Sequence, residues 1–180
     1  MKKILISTVI TLAAGLANAA NFVSVDIDTV KDTTTNAKST AQYFRAGTDV
    51  AGLNVGLQVR TAVFDNGGML NSVEGTVGRN FGAVNVFGGI GHDNGFNGDR
   101  GGDYQYGLVG ASVGVPIGPF YGYAGVKTRV NWQDNTPKQT VGFAGVSYPL
   151  NKKFSINAGV SASRQDITEN AWSIGLRAGF

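Results

Sequence analysis

Ala171-Trp172-Ser173-Ile174-Gly175-Leu176-Arg177-Ala178-Gly179-Phe180 alternates residue by residue to the end of the chain. Successive side chains of a β-strand point to opposite faces. Trp172, Ile174, Leu176, Ala178 and Phe180 therefore share one face, and Ser173, Gly175, Arg177 and Gly179 share the other. The apolar face begins and ends on an aromatic residue. A strand of this kind suits a wall between lipid and water. It suits a soluble core less well, because a soluble protein gains nothing from a terminal exposed Phe.

The other end of the sequence carries an export pattern. Met1-Lys2-Lys3 is a short basic segment, Ile4 to Leu16 is apolar, and Ala17-Asn18-Ala19 before Ala20 is a small-residue cleavage site. The apolar run is too short for a spanning helix. Residues 1–19 read as a signal peptide that directs Sec export, and residues 20–180 as a single domain. The formal charge of +3 includes Lys2 and Lys3, so the remainder is nearly neutral. No basic patch interleaved with aromatics points to nucleic acid.

Composition narrows the class further. The chain has 27 glycines in 180 residues, about twice the ordinary share of ~7%. They have no Gly-X-Y period and are interleaved with Val, Phe and Ala, which excludes collagen and argues against a disordered linker. Glycine in strands leaves room at bends and in a crowded lumen. There is no cysteine. An exported domain without disulfides can be held by a closed, hydrogen-bonded barrel.

Alternating segments separated by turn residues run along the whole chain. They fall at about Asn21–Val30, Ser39–Asp49, Leu53–Phe64, Asn71–Arg79, Ala83–His92, Tyr104–Val115, Phe120–Trp132, Lys138–Tyr148, Phe154–Arg164 and Ala171–Phe180. Leu53–Phe64 alternates best. Tyr104–Val115 is ambiguous, because Tyr106 and Leu108 are out of phase with Val109, Ala111, Val113 and Val115; a β-bulge is one explanation. Lys138–Tyr148 is ambiguous too. With the N-terminus in the periplasm, connections 31–38, 65–70, 93–103, 133–137 and 165–170 face outward and are longer than those facing inward. Phe120, Phe154 and Phe180 then form a girdle at the inner ends of their strands, and Trp132 and Trp172 one at the outer ends. Val55, Leu57, Val59, Val126, Ile156, Val160 and Leu176 are expected to face lipid.

The closing strand, with its alternating apolar residues Trp172, Ile174, Leu176, Ala178 and Phe180, resembles that of bacterial outer-membrane β-barrels. In size, export signal and closing strand the chain is similar to the small barrels of the OmpA and OmpX type. The resemblance implies a Gram-negative outer membrane, contact with outer-membrane lipid and lipopolysaccharide, and reading of the closing strand by the barrel-assembly machinery. The fold expected is an all-β, antiparallel, up-and-down transmembrane barrel of ten strands, a monomer. Eight strands, the number of that type, is the alternative and needs one ambiguous segment and a neighbour to be loop.

Function is less legible, because fold alone does not give it. The single histidine, His92, is followed by Asp93. A rim-sited hydrolase using His92 is one reading, but a triad needs positioned partners, and lipid A deacylases place a Ser where Asn94 stands. The loop Asp93–Asp103 is rich in Asp, Asn and Gly and has oxygen ligands for Ca²⁺, but its spacing matches no EF-hand. No enzyme, metal or cofactor is therefore expected. The charges on polar faces are more informative: Asp26, Asp28, Arg45, Arg60, Glu74, Lys127, Arg129 and Arg177. Facing a lumen, they must pair or be wet. Paired, they plug a structural or surface-interaction barrel. Wet, they line a narrow porin-like channel for small solutes.

Overall fold

A computed structural model describes residues 21–33, 36–65, 67–96, 104–132, 137–164 and 168–180. The signal peptide expected over residues 1–19 lies outside them. So do residues 97–103 and much of the connections at 133–137 and 165–170. The strands are β1 (Phe22–Asp32), β2 (Lys38–Val50), β3 (Leu53–Phe64), β4 (Met69–Phe81), β5 (Val84–Phe96), β6 (Tyr104–Ile117), β7 (Phe120–Asn131), β8 (Pro137–Pro149), β9 (Phe154–Arg164) and β10 (Glu169–Gly179). They form one closed barrel in which every strand pairs with its sequence neighbours and β1 pairs antiparallel with β10. Ten strands, not eight, is the outcome.

The turns explain the pairing register. At one end of the barrel, Ala51-Gly52 joins β2 to β3 with both residues at positive φ, 51° and 80°. That handedness matches the twist of the flanking strands in a two-residue hairpin. Gly82 and Gly118, at φ of 65° and 57°, open the other tight connections there. We call this the turn end and the opposite one the loop end. The seam runs from Phe22 opposite Gly179 to Asp32 opposite Glu169. Phe180 N–H also donates to the Asn21 carbonyl at 3.0 Å.

Both ambiguous segments have a plain explanation. The register of β6 is continuous with both neighbours, so it holds no bulge. Tyr106 and Leu108 are buried in the lumen, while Val109, Val113 and Val115 are exposed on the outer wall. In β8, Val141 and Phe143 line the lumen and Val146 and Tyr148 lie outside. The register shift is elsewhere, between Arg129 and Val130 on β7 opposite the start of β8 at Pro137. Proline has no N–H to give a ladder, so the irregularity falls beside it. A second correction concerns β5, which extends to Phe96. Asp93 is therefore a strand residue, as His92 was expected to be, and is not part of a loop.

The outer wall is apolar. Val25, Ile27, Val73, Val77, Ile90, Val126, Ile174 and Leu176 are all exposed on it. Val55, Ile156 and Val160 are exposed as expected, while Leu57 and Val59, on the same face of β3, are half-buried. Polar and charged residues are buried on the inside. This inversion of a soluble core is what a hydrocarbon solvent requires.

Candidate functional site

All eight charges singled out in the sequence project into the lumen. Glu74 on β4 is the centre of one group. Its Oε1 accepts from Lys127 Nζ at 2.6 Å, and its Oε2 accepts from Arg129 Nη2 at 2.9 Å and from the Tyr106 hydroxyl at 3.3 Å. Lys127 and Arg129 lie on the same face of β7, which is not adjacent to β4. These bonds therefore cross the lumen. In the ladder, Gly91 stands between Glu74 and Tyr106. A Cβ there would overlap the Tyr106 ring, so the glycine makes the space that the phenol fills. Arg129 Nη1 donates to Gln139 Oε1 at 2.9 Å and lies 3.9 Å from Asp93 Oδ2, and the guanidinium sits 4.7 Å from the Tyr106 ring centroid.

A second group spans β1, β2 and β3. Arg45 pairs with Asp26 and donates through Nε to Gln58 Oε1 at 2.8 Å. The Ser24 hydroxyl donates to Asp26 Oδ2 at 3.1 Å. Tyr43 carries the Arg45 guanidinium at 4.6 Å and that of Arg60 at 5.6 Å. Arg60 approaches Glu169 at 3.8 Å, again across intervening strands. Asp28 is buried with Oδ1 unpartnered among the described residues. Arg177 stands apart, 3.8 Å from the Phe22 ring at the turn end.

These groups narrow the bore. Towards the loop end, Val30, Ala41, Ala62 and Ala171 form a buried apolar cluster with Tyr43 and Leu70 packed against it. A cavity of about 900 Å³ runs along the bore: it is lined at the turn end by Asn54, Asn85, Tyr121, Tyr123, Asn157 and Arg177, passes the charges, and reaches Val30, Gln139, Ser163, Glu169 and Ala171 towards the loop end. Asn85 Nδ2 donates to both Asn54 and Asn80 at 2.7 Å, which stiffens the mouth. Chemically, the belt is a web of ion pairs buried beside aromatic faces, and the vestibule below it is polar and open.

No protein family matches the chain by sequence profile, and no curated protein matches it by sequence. Among solved structures, the chain is similar to the β domain of the Bordetella autotransporter BrkA at 12% identity, over 89% of this chain and 99% of that one, with a TM-score of 0.53. It is also similar to the KdgM porin (8% identity, 87% and 99% covered, TM-score 0.49) and to Neisserial surface protein A (15%, 88% and 96%, 0.46). At such identities the likeness is one of fold. The chain has the fold of an outer-membrane β-barrel.

On that barrel the expected girdle residues lie outside and exposed: Phe120, Phe154 and Phe180 at the turn end, Trp132 and Trp172 at the loop end. Phe81 and Tyr148 join the turn-end ring, with Tyr148 5.3 Å from Phe120. Trp172, Ile174 and Leu176 of the closing strand face outward beside Phe180. His92 and Asp93 separate, because adjacent strand residues point to opposite sides. Asp93 is buried within the lumen and His92 belongs to the outer wall, so the pair does not act together. The sequence reading missed Tyr43, Gln58, Asp93, Tyr106, Gln139 and Glu169 as members of the belt. Carrying the parity of Gly89 and Gly91 on to Asp93, and that of Ser173 and Ala171 back to Glu169, would have found the two acids. Among the described residues, no group of three or more His, Cys, Asp or Glu is placed to hold a metal ion.

Proposed function

We propose that the protein is a non-enzymatic, monomeric outer-membrane barrel with a structural or surface-interaction role, and that its lumen does not conduct. The observation that carries this reading is the pair of bonds from Lys127 and Arg129 across the bore to Glu74, with the Val30–Ala41–Ala62–Ala171 cluster beyond. Long side chains locked to a shared carboxylate narrow the path for water. Export follows the leader at residues 1–19, the turn end faces the periplasm, and the barrel-assembly machinery reads Trp172, Ile174, Leu176, Ala178 and Phe180.

Planar-bilayer recording of the purified barrel tests the closed lumen. Folded protein is expected to insert without conductance steps, whereas steady steps that change with Arg129→Ala would replace this reading by a narrow pore. The assembly role has its own test. Phe180 contributes a backbone N–H to the seam, so Phe180→Ala keeps that bond and removes only the ring. Outer-membrane levels in cells are expected to fall while refolding in detergent stays normal. Normal levels in cells would remove the assembly role.

A further inference from the structure

One carboxylate in the lumen has no cation of its own. In the group on β1, β2 and β3, Arg45 pairs with Asp26 and Arg60 approaches Glu169. Asp28 follows Asp26 on the same face of β1 and is only 5% exposed, yet it makes no hydrogen bond or ion pair among the described residues. Burying a charge without a partner is costly. Asp28 lines the long cavity of the bore, which opens at the turn end, where Tyr121 and Arg177 are exposed.

Two hydroxyls share its row of the barrel. Asp28 on β1 is opposite Ser173 on β10, Ser173 is opposite Gly159 on β9, Gly159 is opposite Gly145 on β8, and Gly145 is opposite Tyr123 on β7. The two glycines let the Tyr123 ring lie across β8 towards β9. A Cβ on Gly159 would meet the Ser173 hydroxyl at 2.9 Å and the Tyr123 hydroxyl at 3.4 Å, so both hydroxyls converge on the hollow that this glycine leaves. Neither has a hydrogen-bond partner among the described residues, and both side chains line the cavity. Towards the turn end the lining continues with Ser147, Ser155 and Asn157.

We infer that this row binds a primary ammonium group carried on a small hydroxylated body, a ligand of the amino-sugar class. An ammonium has three N–H donors and no acceptor. The Asp28 carboxylate and the two hydroxyl oxygens are the acceptors it needs, and its charge compensates the buried carboxylate. A calcium ion takes about six to eight oxygens, more than the row supplies. An anion is repelled by Asp28. A second ammonium would meet Arg45 and Arg177 further down the cavity, which selects a single positive charge. The serine hydroxyls and the Asn157 amide match ring hydroxyls, and the Tyr123 face gives an apolar surface for the C–H groups between them.

The test uses the purified full-length barrel, folded in detergent and titrated at neutral pH with glucosamine, N-acetylglucosamine or glucose by isothermal titration calorimetry. Glucosamine is expected to bind about tenfold or more tightly than either uncharged sugar. Asp28→Asn, which keeps the shape and removes the charge, should bring glucosamine down to their level. Ser173→Ala and Tyr123→Phe should each weaken glucosamine by about threefold to tenfold. In sugar-free buffer Asp28→Asn should leave the urea midpoint unchanged or raise it, because no described group loses a partner. Equal binding of the three sugars, no binding of glucosamine, or its displacement by calcium would overturn the site. So would a fall in the urea midpoint of Asp28→Asn, which would make Asp28 the partner of Arg45 or Arg60 instead of a ligand. Conductance does not enter these readouts, so a failure here and a failure of the closed-lumen reading are distinguishable.

Discussion

The two halves of the lumen are built from the same alternating strands and behave as different materials. Towards the loop end, Glu74, Arg60, Arg129, Tyr106, Asp93 and the small apolar cluster are almost wholly buried. Towards the turn end, Asn54, Asn85 and Asn157 are only half-buried and Arg177 is exposed. The difference comes from side-chain length and glycine placement. Lys127, Arg129 and Arg60 are long enough to cross the bore. Asn and Ser are not, so the bore below stays open. A barrel of this size thus need not be uniformly filled or uniformly hollow, and a few long cations decide where it narrows.

The largest expected break in this comparison is Glu74→Ala. It leaves Lys127 and Arg129 buried without their shared carboxylate, at a cost of about 3–5 kcal/mol. Urea unfolding of the barrel in lipid vesicles measures it. Asn157→Ala, in the vestibule, should cost about 0.5 kcal/mol or less. Equal losses at the two positions would show that the halves do not differ energetically.

Next in size is the contrast between wall and lumen. Val126 is exposed on the lipid side of β7, so Val126→Arg should cost about 2–4 kcal/mol. Asn157→Arg places the same charge in the open vestibule and should stay within about 1 kcal/mol of the native barrel. The same unfolding measurement ranks them, and a reversed order would invert the assignment of faces.

The smallest effect sharpens the turn end. Ala51 is held at a φ of 51°, a conformation that costs an L-residue about 1–2 kcal/mol and glycine little. Ala51→Gly is expected to raise stability by about 0.5–1 kcal/mol, after the greater freedom of glycine in the unfolded chain is offset. No gain would mean that the turn relaxes in solution to relieve Ala51.

The sequence exposed the wall better than the lumen, and solvent explains why. Lipid demands apolar side chains, so Leu53–Phe64, Phe154–Arg164 and Ala171–Phe180 declare their outer faces by hydropathy alone. The lumen accepts anything that fills space or pairs. Tyr106, Leu108, Val141 and Phe143 go inside because the bore needs volume, and there hydropathy ceases to report direction. The eight charges were legible from parity within clear strands. Asp93 and Glu169 were not, because Asp93 opens a glycine- and asparagine-rich stretch and Glu169 closes the polar run from Gln165, both of which resemble loops while the ladder continues. Which charge meets which was beyond reach, since Glu74 with Arg129 and Arg60 with Glu169 join strands that are not neighbours.

The seam between β1 and β10 has a consequence for how such a chain comes into being. Its partners, from Phe22 with Gly179 to Asp32 with Glu169, are nearly as far apart in sequence as the domain permits. Every other ladder joins consecutive strands and can form as a local hairpin, but the last cannot start until β10 has arrived. Until then β1 and β10 each present a bare row of amide and carbonyl groups, the template on which chains aggregate. High contact order makes that final step slow as well. The dangerous interval of folding is therefore set by chain topology rather than by any weak strand, and whatever shields those two edges before closure controls how much barrel is made.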